Sequence, residues 1–238
     1  MWTKKQIELF QDASDKLYKV KDLVFSYLHE GVSEYEVQQF ILEKFKEMGL
    51  KNELDKPIVA FGPNTGTVHY FPKKKCRKLK KNTLVLIDIW AKTTGPYADI
   101  TWMGYYGKVP KKVQKIFDIV LEARDKSLAY VKREVKKGSM PIGSEANRIA
   151  KDVIDSYGYL KEFKHSTGHS LGNYSAHGNR GGLRPSNKRK LLRMGYTIEP
   201  GIYFENDFGV RSEIDFYISR GKVVVSGAVQ KELLKIKK

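Results

Sequence analysis

Cysteine is almost missing from this sequence: Cys76 is the only one, which excludes an intramolecular disulfide and every zinc site built on several cysteine sulfurs. Long apolar runs are missing as well. None approaches the roughly 20 residues that a membrane-spanning helix needs, and the opening stretch MWTKKQIELFQD is charged where a secretory signal would be apolar. These gaps point to an unsecreted, cytoplasmic chain with no membrane partner. Any metal bound here must be held by oxygen and imidazole. Apolar content is not short: with 238 residues, 41% of them hydrophobic, the chain can bury a full core as one large domain or two fused halves.

Negative charge is the other thing in short supply. Lys and Arg number 44 against 27 Asp and Glu, a formal net charge of +17, the usual footprint of a nucleic-acid or acidic-surface partner. That reading requires a patch, and most of the lysines are dispersed. The runs Lys73-Lys74-Lys75, Lys78-Leu79-Lys80-Lys81 and Lys188-Arg189-Lys190 fall in loop-like segments without interleaved stacking aromatics. A lysine-rich solvated surface is the preferred reading, with nucleic-acid binding as the alternative.

Along the chain, Phe10, Ala13, Leu17, Val20, Val24 and Leu28 recur at helical spacing up to Gly31. A second helix is predicted from Ser33, where Ser-Glu-Tyr-Glu forms a capping box, to Gly49. The period then changes to short β-rich runs at Pro57 to Gly62, Thr83 to Ala91 and Tyr97 to Trp102. The order then starts again. Helices are predicted from Pro110 to Gly138 and from Ser144 to Gly158, followed by strands near Tyr196 to Ile198, Ile202 to Phe204, Ile214 to Ile218 and Lys222 to Val225. Two successive blocks of helix, helix and strands imply an α+β chain of two similar halves, about 1–106 and 107–230, in one domain spanning 1–238.

Asp88 stands out among the acids because it interrupts Leu84-Val85-Leu86-Ile87 and Ile89-Trp90, a run apolar on both faces, where an unpaired carboxylate carries a heavy desolvation cost. Asp99 lies on the next strand-like run, and a Gly95-Pro96 turn between them would fold one strand onto the other. Two converging carboxylates call for a cation, either a metal or one of the many lysines. The second half adds His169 between glycines in Thr-Gly-His-Ser-Leu-Gly, Glu199 before the Pro200-Gly201 turn, and Glu213 in a β-rich run. Four carboxylates and an imidazole favour Mn²⁺, with Co²⁺ or Zn²⁺ as alternatives, and four negative charges balance two divalent cations.

At these residues the sequence resembles the pita-bread, M24-type metallopeptidases: methionine aminopeptidases, proline dipeptidases and aminopeptidases P. The segments that carry the resemblance are Phe61-Gly62-Pro63-Asn64 leading to His69, Asp88 with Asp99, Thr167-Gly168-His169, Ile198-Glu199-Pro200-Gly201, and Gly209-Val210-Arg211 before Glu213. It implies a curved antiparallel sheet between two similar halves and a pair of divalent ions that activate water toward a peptide carbonyl. The resemblance further implies that Asp88 binds one ion, that Asp99 and Glu213 bridge both, and that His169 and Glu199 bind the other. Glu199 would also carry a proton toward the leaving amine. His69 and His177 would contact the scissile carbonyl or leaving group, His165 would face the substrate, and Thr101 would orient Asp99 from behind.

Three positions depart from the family pattern: Trp102 stands where relatives often have Arg, Ser170 where many have Gly, and His177 lies one residue further from His169 than in many relatives. The short interval between Glu199 and Glu213, together with His165 and Arg211, resembles the proline-specific branch rather than the methionine aminopeptidases. Enzymes of that branch usually carry an additional N-terminal domain, and the pattern here, beginning within the first residues, predicts a stand-alone catalytic domain. The implied substrates are peptides with proline second. Arg184, in the basic segment Arg180 to Arg189, is a candidate partner for a substrate carboxylate; a solvated basic loop is the competing reading. Methionine aminopeptidase activity is the alternative within the family, and a non-catalytic basic module that binds nucleic acid or protein is the alternative outside it. Oligomeric state is left open.

Overall fold

The computed structural model describes residues 1–52 and 55–236. Helix α1 (Lys4–Tyr27) starts in a capping box, with the Thr3 hydroxyl accepting from Gln6 N–H and the Gln6 side chain reaching back to Thr3. Helix α2 (Glu34–Glu47) starts in the box expected at Ser33, closed by Glu36. Strands β1 (Ile58–Phe61), β2 (Thr83–Ala91) and β3 (Ala98–Tyr106) follow, antiparallel and adjacent in that order. The second block opens with α3 (Lys111–Lys136) and α4 (Gly143–Ser156), both where the periodicity placed them.

Eight strands complete the chain: β4 (Gly168–Leu171), β5 (His177–Leu183), β6 (Gly195–Ile198), β7 (Gly201–Phe204), β8 (Phe208–Arg211), β9 (Ile214–Ser219), β10 (Lys222–Val225) and β11 (Leu234–Lys235). Hydrogen bonding divides the strands into a four-stranded sheet, β1-β2-β3-β11, a five-stranded sheet, β10-β9-β6-β4-β5, and the β7-β8 hairpin. All pairings are antiparallel except β11 on β3. Strands β4, β5, β8 and β11 had no counterpart in the sequence pattern. The segment His177–Leu183 (HGNRGGL) has neither alternation nor β-branched residues, yet it pairs with β4.

Helices α1 and α2 cover one face of the first sheet, packing on Val59, Val85, Ile87, Ile89 and Ile100. Helix α3 and the β7-β8 hairpin cover the other, against Ile58, Ala60, Leu84, Leu86 and Met103. Burial on both faces explains why Thr83–Ala91 reads as a continuous apolar run. Side chains alternate between faces along a strand, so Asp88 belongs with Leu84, Leu86 and Trp90. The β2/β3 register sets Asp88 opposite Thr101 and Trp90 opposite Asp99. Both carboxylates therefore leave the same face of the sheet, folded together by the turn at Gly95-Pro96 as expected.

Buried polar residues tie the loops to this frame. Glu34, with no exposed surface, accepts from Phe61 N–H at 2.7 Å, Asn64 Nδ2 at 2.8 Å, Tyr70 O–H at 2.8 Å and Arg77 N–H at 3.0 Å. It thereby fixes both ends of the segment that carries His69. Arg124 of α3, also buried, donates from Nη1 to Ser212 Oγ at 2.7 Å and to the Gln230 carbonyl at 2.8 Å, clamping the link between Arg211 and Glu213.

Candidate metal centre

The two sheets meet where the candidate ligands lie. Among the described residues, one donor atom each from Asp99, His169 and Glu213 falls within 4.8 Å of the others. His169 Nε2 is 3.5 Å from Asp99 Oδ2 and 3.3 Å from Glu199 Oε1, and Arg211 Nη2 is 2.5 Å from Asp88 Oδ2. Two bonds tie β3 to the second block at this point: Asp99 N–H donates to Asp215 Oδ2 on β9 at 2.8 Å, and Thr101 Oγ1 donates to Glu213 Oε2, just before β9, at 2.7 Å. Thr101 thus supports Glu213, where the resemblance implied support of Asp99. It faces Asp88 across the β2/β3 ladder, and its hydroxyl reaches Glu213 in the link between β8 and β9.

Local backbone geometry aims the imidazole. Gly168 leaves room for β4 to approach β6 closely, since a Cβ there would lie 2.2 Å from the Thr197 carbonyl oxygen. Thr197 then serves both ligands beside it: its hydroxyl accepts from His169 N–H at 3.0 Å and donates to Glu199 Oε1 at 3.0 Å. His169 Nδ1–H donates to the Ser170 carbonyl at 3.1 Å, leaving the Nε2 lone pair directed at carboxylate oxygens. Lone pairs facing lone pairs, with no donor between them, form an arrangement that a cation completes.

The carboxylates show the same imbalance. Burial, followed by repulsion from Asp88 and Asp215, raises the Asp99 pKa well above the usual carboxylate range. Burial, followed by repulsion from Asp99 and Glu199, does the same to Glu213. Burial also raises Asp88, although Arg211 opposes it. Burial pushes Glu199 up too, but the positive charge that His169 and His165 carry when protonated, with that of Arg211, outweighs it and leaves it lowered. An oxygen-rich set with one imidazole, short of positive charge, fits a hard or borderline divalent ion.

A pH signature follows. Because Asp99 and Glu213 have raised pKa values in the fold, the metal-free native state binds protons more tightly than the unfolded chain. The stability that this contributes is present at low pH and is lost as pH rises from the ordinary carboxylate range through the raised native values. A bound cation replaces those protons. The gap in Tm between Mn²⁺-loaded and chelated protein is therefore expected to widen from pH 5 to pH 8, as measured by calorimetry; a gap that stays constant contradicts the assignment.

The centre forms the floor of a cavity of about 530 Å³ lined also by His69, His165, His177, Arg184, Ile58, Phe71 and Trp90. All four further residues expected to face substrate are thus on its wall. The β4/β5 ladder has a register break between His169 and Leu171, and the exposed His177 ring still lies 4.0 Å from that of His169, so its shifted sequence spacing is absorbed locally. His165 Nδ1–H donates to the Ser166 carbonyl at 2.8 Å, and Nε2 lies 2.8 Å from Tyr203 O–H, which it accepts from when neutral. Burial lowers its pKa, favouring that neutral ring. Arg184 follows β5 directly and is exposed. Sequence reasoning missed Thr197, Tyr203 and Asp215, none of which belongs to a motif segment. Asp215, fully buried with Oδ1 unpartnered, was detectable only as an acid inside the apolar run Ile214 to Ile218.

A buried cluster of carboxylates and one imidazole beside an open cavity is a donor set that a divalent metal ion fits. The model for metallopeptidase family M24 matches residues 8–220, and the chain belongs to that family. An uncharacterized peptidase of Staphylococcus aureus (strain MW2) is 31% identical over 214 residues, which is 90% of this chain and 58% of the relative. The crystal structure of a recombinant prolidase from Thermococcus sibiricus superposes with a TM-score of 0.90 at 32% identity, covering 99% of this chain and 62% of the other. An Xaa-Pro dipeptidase from Bacillus anthracis gives 0.87 at 27% identity, covering 98% and 63%. The fold is therefore the pita-bread fold expected from the sequence, and the chain spans about three fifths of the length of these relatives. Among the described residues, no helix is long and apolar enough to cross a membrane.

Proposed function

We propose that this chain is a dinuclear metal-dependent exopeptidase that removes an N-terminal residue preceding proline, from Xaa-Pro dipeptides or short peptides. One observation carries the reading: Asp88, Asp99, His169, Glu199 and Glu213 converge on the floor of a cavity whose walls hold His69, His165, His177 and Arg184. The metal number and the preference for Mn²⁺ over Co²⁺ or Zn²⁺ belong to this proposal. So does the substrate class, which the similarity to the Thermococcus sibiricus prolidase and the Bacillus anthracis Xaa-Pro dipeptidase supports.

When bound, two divalent cations supply Lewis acidity toward the peptide carbonyl and lower the pKa of water. Asp99, whose main-chain N–H donates to Asp215, and Glu213, which accepts from Thr101, would hold them together with Asp88, His169 and Glu199. Glu199 accepts a proton from the attacking water and returns it to the leaving nitrogen. His177 and His69 offer N–H donors to the carbonyl oxygen as charge builds there. Arg211 holds Asp88 in place, and Arg184 pairs with the carboxylate of a short substrate. The converging ligands also weigh against a basic module that only binds, because binding alone gives no reason to bury four carboxylates together.

Proline in second position presents a tertiary amide without N–H and with fixed φ, so a pocket selects it by shape and by not requiring a hydrogen bond from that nitrogen. Peptides of the Ala-Pro type are expected to be cleaved at least about tenfold faster in kcat/KM than Met-Ala peptides, a difference of about 1.4 kcal/mol in transition-state binding. Measured under one metal condition, a preference for the methionine peptide would overturn the substrate class and leave the metal centre standing.

A further inference from the structure

We propose that Ile58, Phe71 and Trp90, with Asp55 at their outer edge, form the subsite for the first residue's side chain and select long cationic side chains, those of lysine and arginine. The orientation rests on the function proposed above: Arg184, from the second block, takes the leaving residue's carboxylate, and the first residue's side chain is assigned to the lining that the first block contributes.

That wall comes from the first block of the chain. Ile58 pairs with Asp88 in the β1/β2 register, and Trp90 is two residues beyond Asp88 on the same face, so an apolar strip runs outward from the carboxylate cluster. Phe71, 40% exposed, extends the strip toward solvent. Asp55 is exposed and lines the same cavity. Its carboxylate has no ionic or hydrogen-bond partner among the described residues. Among the described residues it is also the one carboxylate lining the cavity outside the candidate metal-binding set.

The distribution of positive charge supports the choice of ligand. In a chain with net charge +17, the only Lys or Arg side chains lining the cavity among the described residues are Arg184 and Arg211, and Arg211 is paired with Asp88. A side chain with an aliphatic stem and a charged end matches the lining of Asp55, Ile58, Phe71 and Trp90: the stem covers Ile58 and Trp90, and the head meets aromatic faces and a carboxylate. The α-amine of the first residue stays beside the scissile bond, so only a side chain several atoms long reaches the outer edge.

Binding of lysine hydroxamate and norleucine hydroxamate to Mn²⁺-loaded protein tests this by calorimetry, because the pair differs chiefly in the ammonium group and neither carries a second residue. Lysine hydroxamate is expected to bind about tenfold more tightly, the size of one partly screened ion pair plus one exposed cation–π contact. The ratio should fall to about threefold or less in Asp55→Asn, and also in Trp90→Leu, which keeps apolar bulk without the aromatic face. Equal binding by the wild type, a ratio unaffected by Asp55→Asn, or no binding of either hydroxamate overturns the proposal. The ratio is independent of proline: tight, lysine-selective binding by a protein that cleaves no Xaa-Pro peptide would sink the proposed function and leave the subsite intact.

Discussion

Replacing Glu213 with alanine is expected to remove metal and activity together. The side chain is 2% exposed, accepts from Thr101 at 2.7 Å, and shares with Asp99 and His169 the one tight cluster of donor atoms among the described residues. Its loss removes a negative charge that a dinuclear centre needs and leaves the Thr101 hydroxyl without its acceptor. Losing the several kcal/mol that metal ions supply to a transition state corresponds to a rate lower by about 10³–10⁴-fold or more. Glu213→Gln separates charge from shape, because it keeps an oxygen for Thr101. It too should lose metal, yet chelated Glu213→Gln should be at least as stable as chelated wild type, since burial, followed by repulsion from Asp99 and Glu199, is what raises the native carboxyl. Metal analysis showing a full complement in either variant would contradict the assignment.

His177→Ala and His69→Ala should behave in the opposite way, keeping metal while losing turnover by about 10²–10⁴-fold, the range for proton transfer or stabilisation of a developing oxyanion. Both rings line the cavity, and His177 lies beside His169 at 4.0 Å between centroids without belonging to the cluster of ligand atoms. The split between metal content and kcat is the informative readout. Loss of metal would move these histidines into the coordination shell, and unchanged turnover would reduce them to packing.

Much of this arrangement was legible in the sequence because it rests on local rules. The capping box at Ser33, the helical stripe of α1 and the glycines that end helices depend on neighbours within a turn or two. Asp88 was legible for a different reason: a carboxylate in a fully apolar run contradicts its surroundings, and the structure shows the burial that makes the contradiction costly. Strand β5 was not legible, since a strand of His, Gly, Asn and Arg is held by its pairing with β4 rather than by its own propensity. The supports of the site were hidden for a related reason. Glu34 and Arg124 look like ordinary surface residues in sequence, Asp215 shows only as an acid in an apolar run, and long-range contacts to Phe61, Ser212 and Asp99 give them their roles. Thr101 was recognised as a supporting residue, but its acceptor lies 112 positions away, beyond anything that spacing encodes.

The most direct measurement takes one purified preparation and determines metal per chain together with the rate of proline release from Ala-Pro, before chelation, after chelation, and after Mn²⁺ is restored. The account predicts up to two divalent ions per chain, loss of proline release with loss of metal, and recovery of both on adding Mn²⁺. Undiminished proline release from metal-free protein, or a two-metal protein that releases no residue from any short peptide, would contradict it.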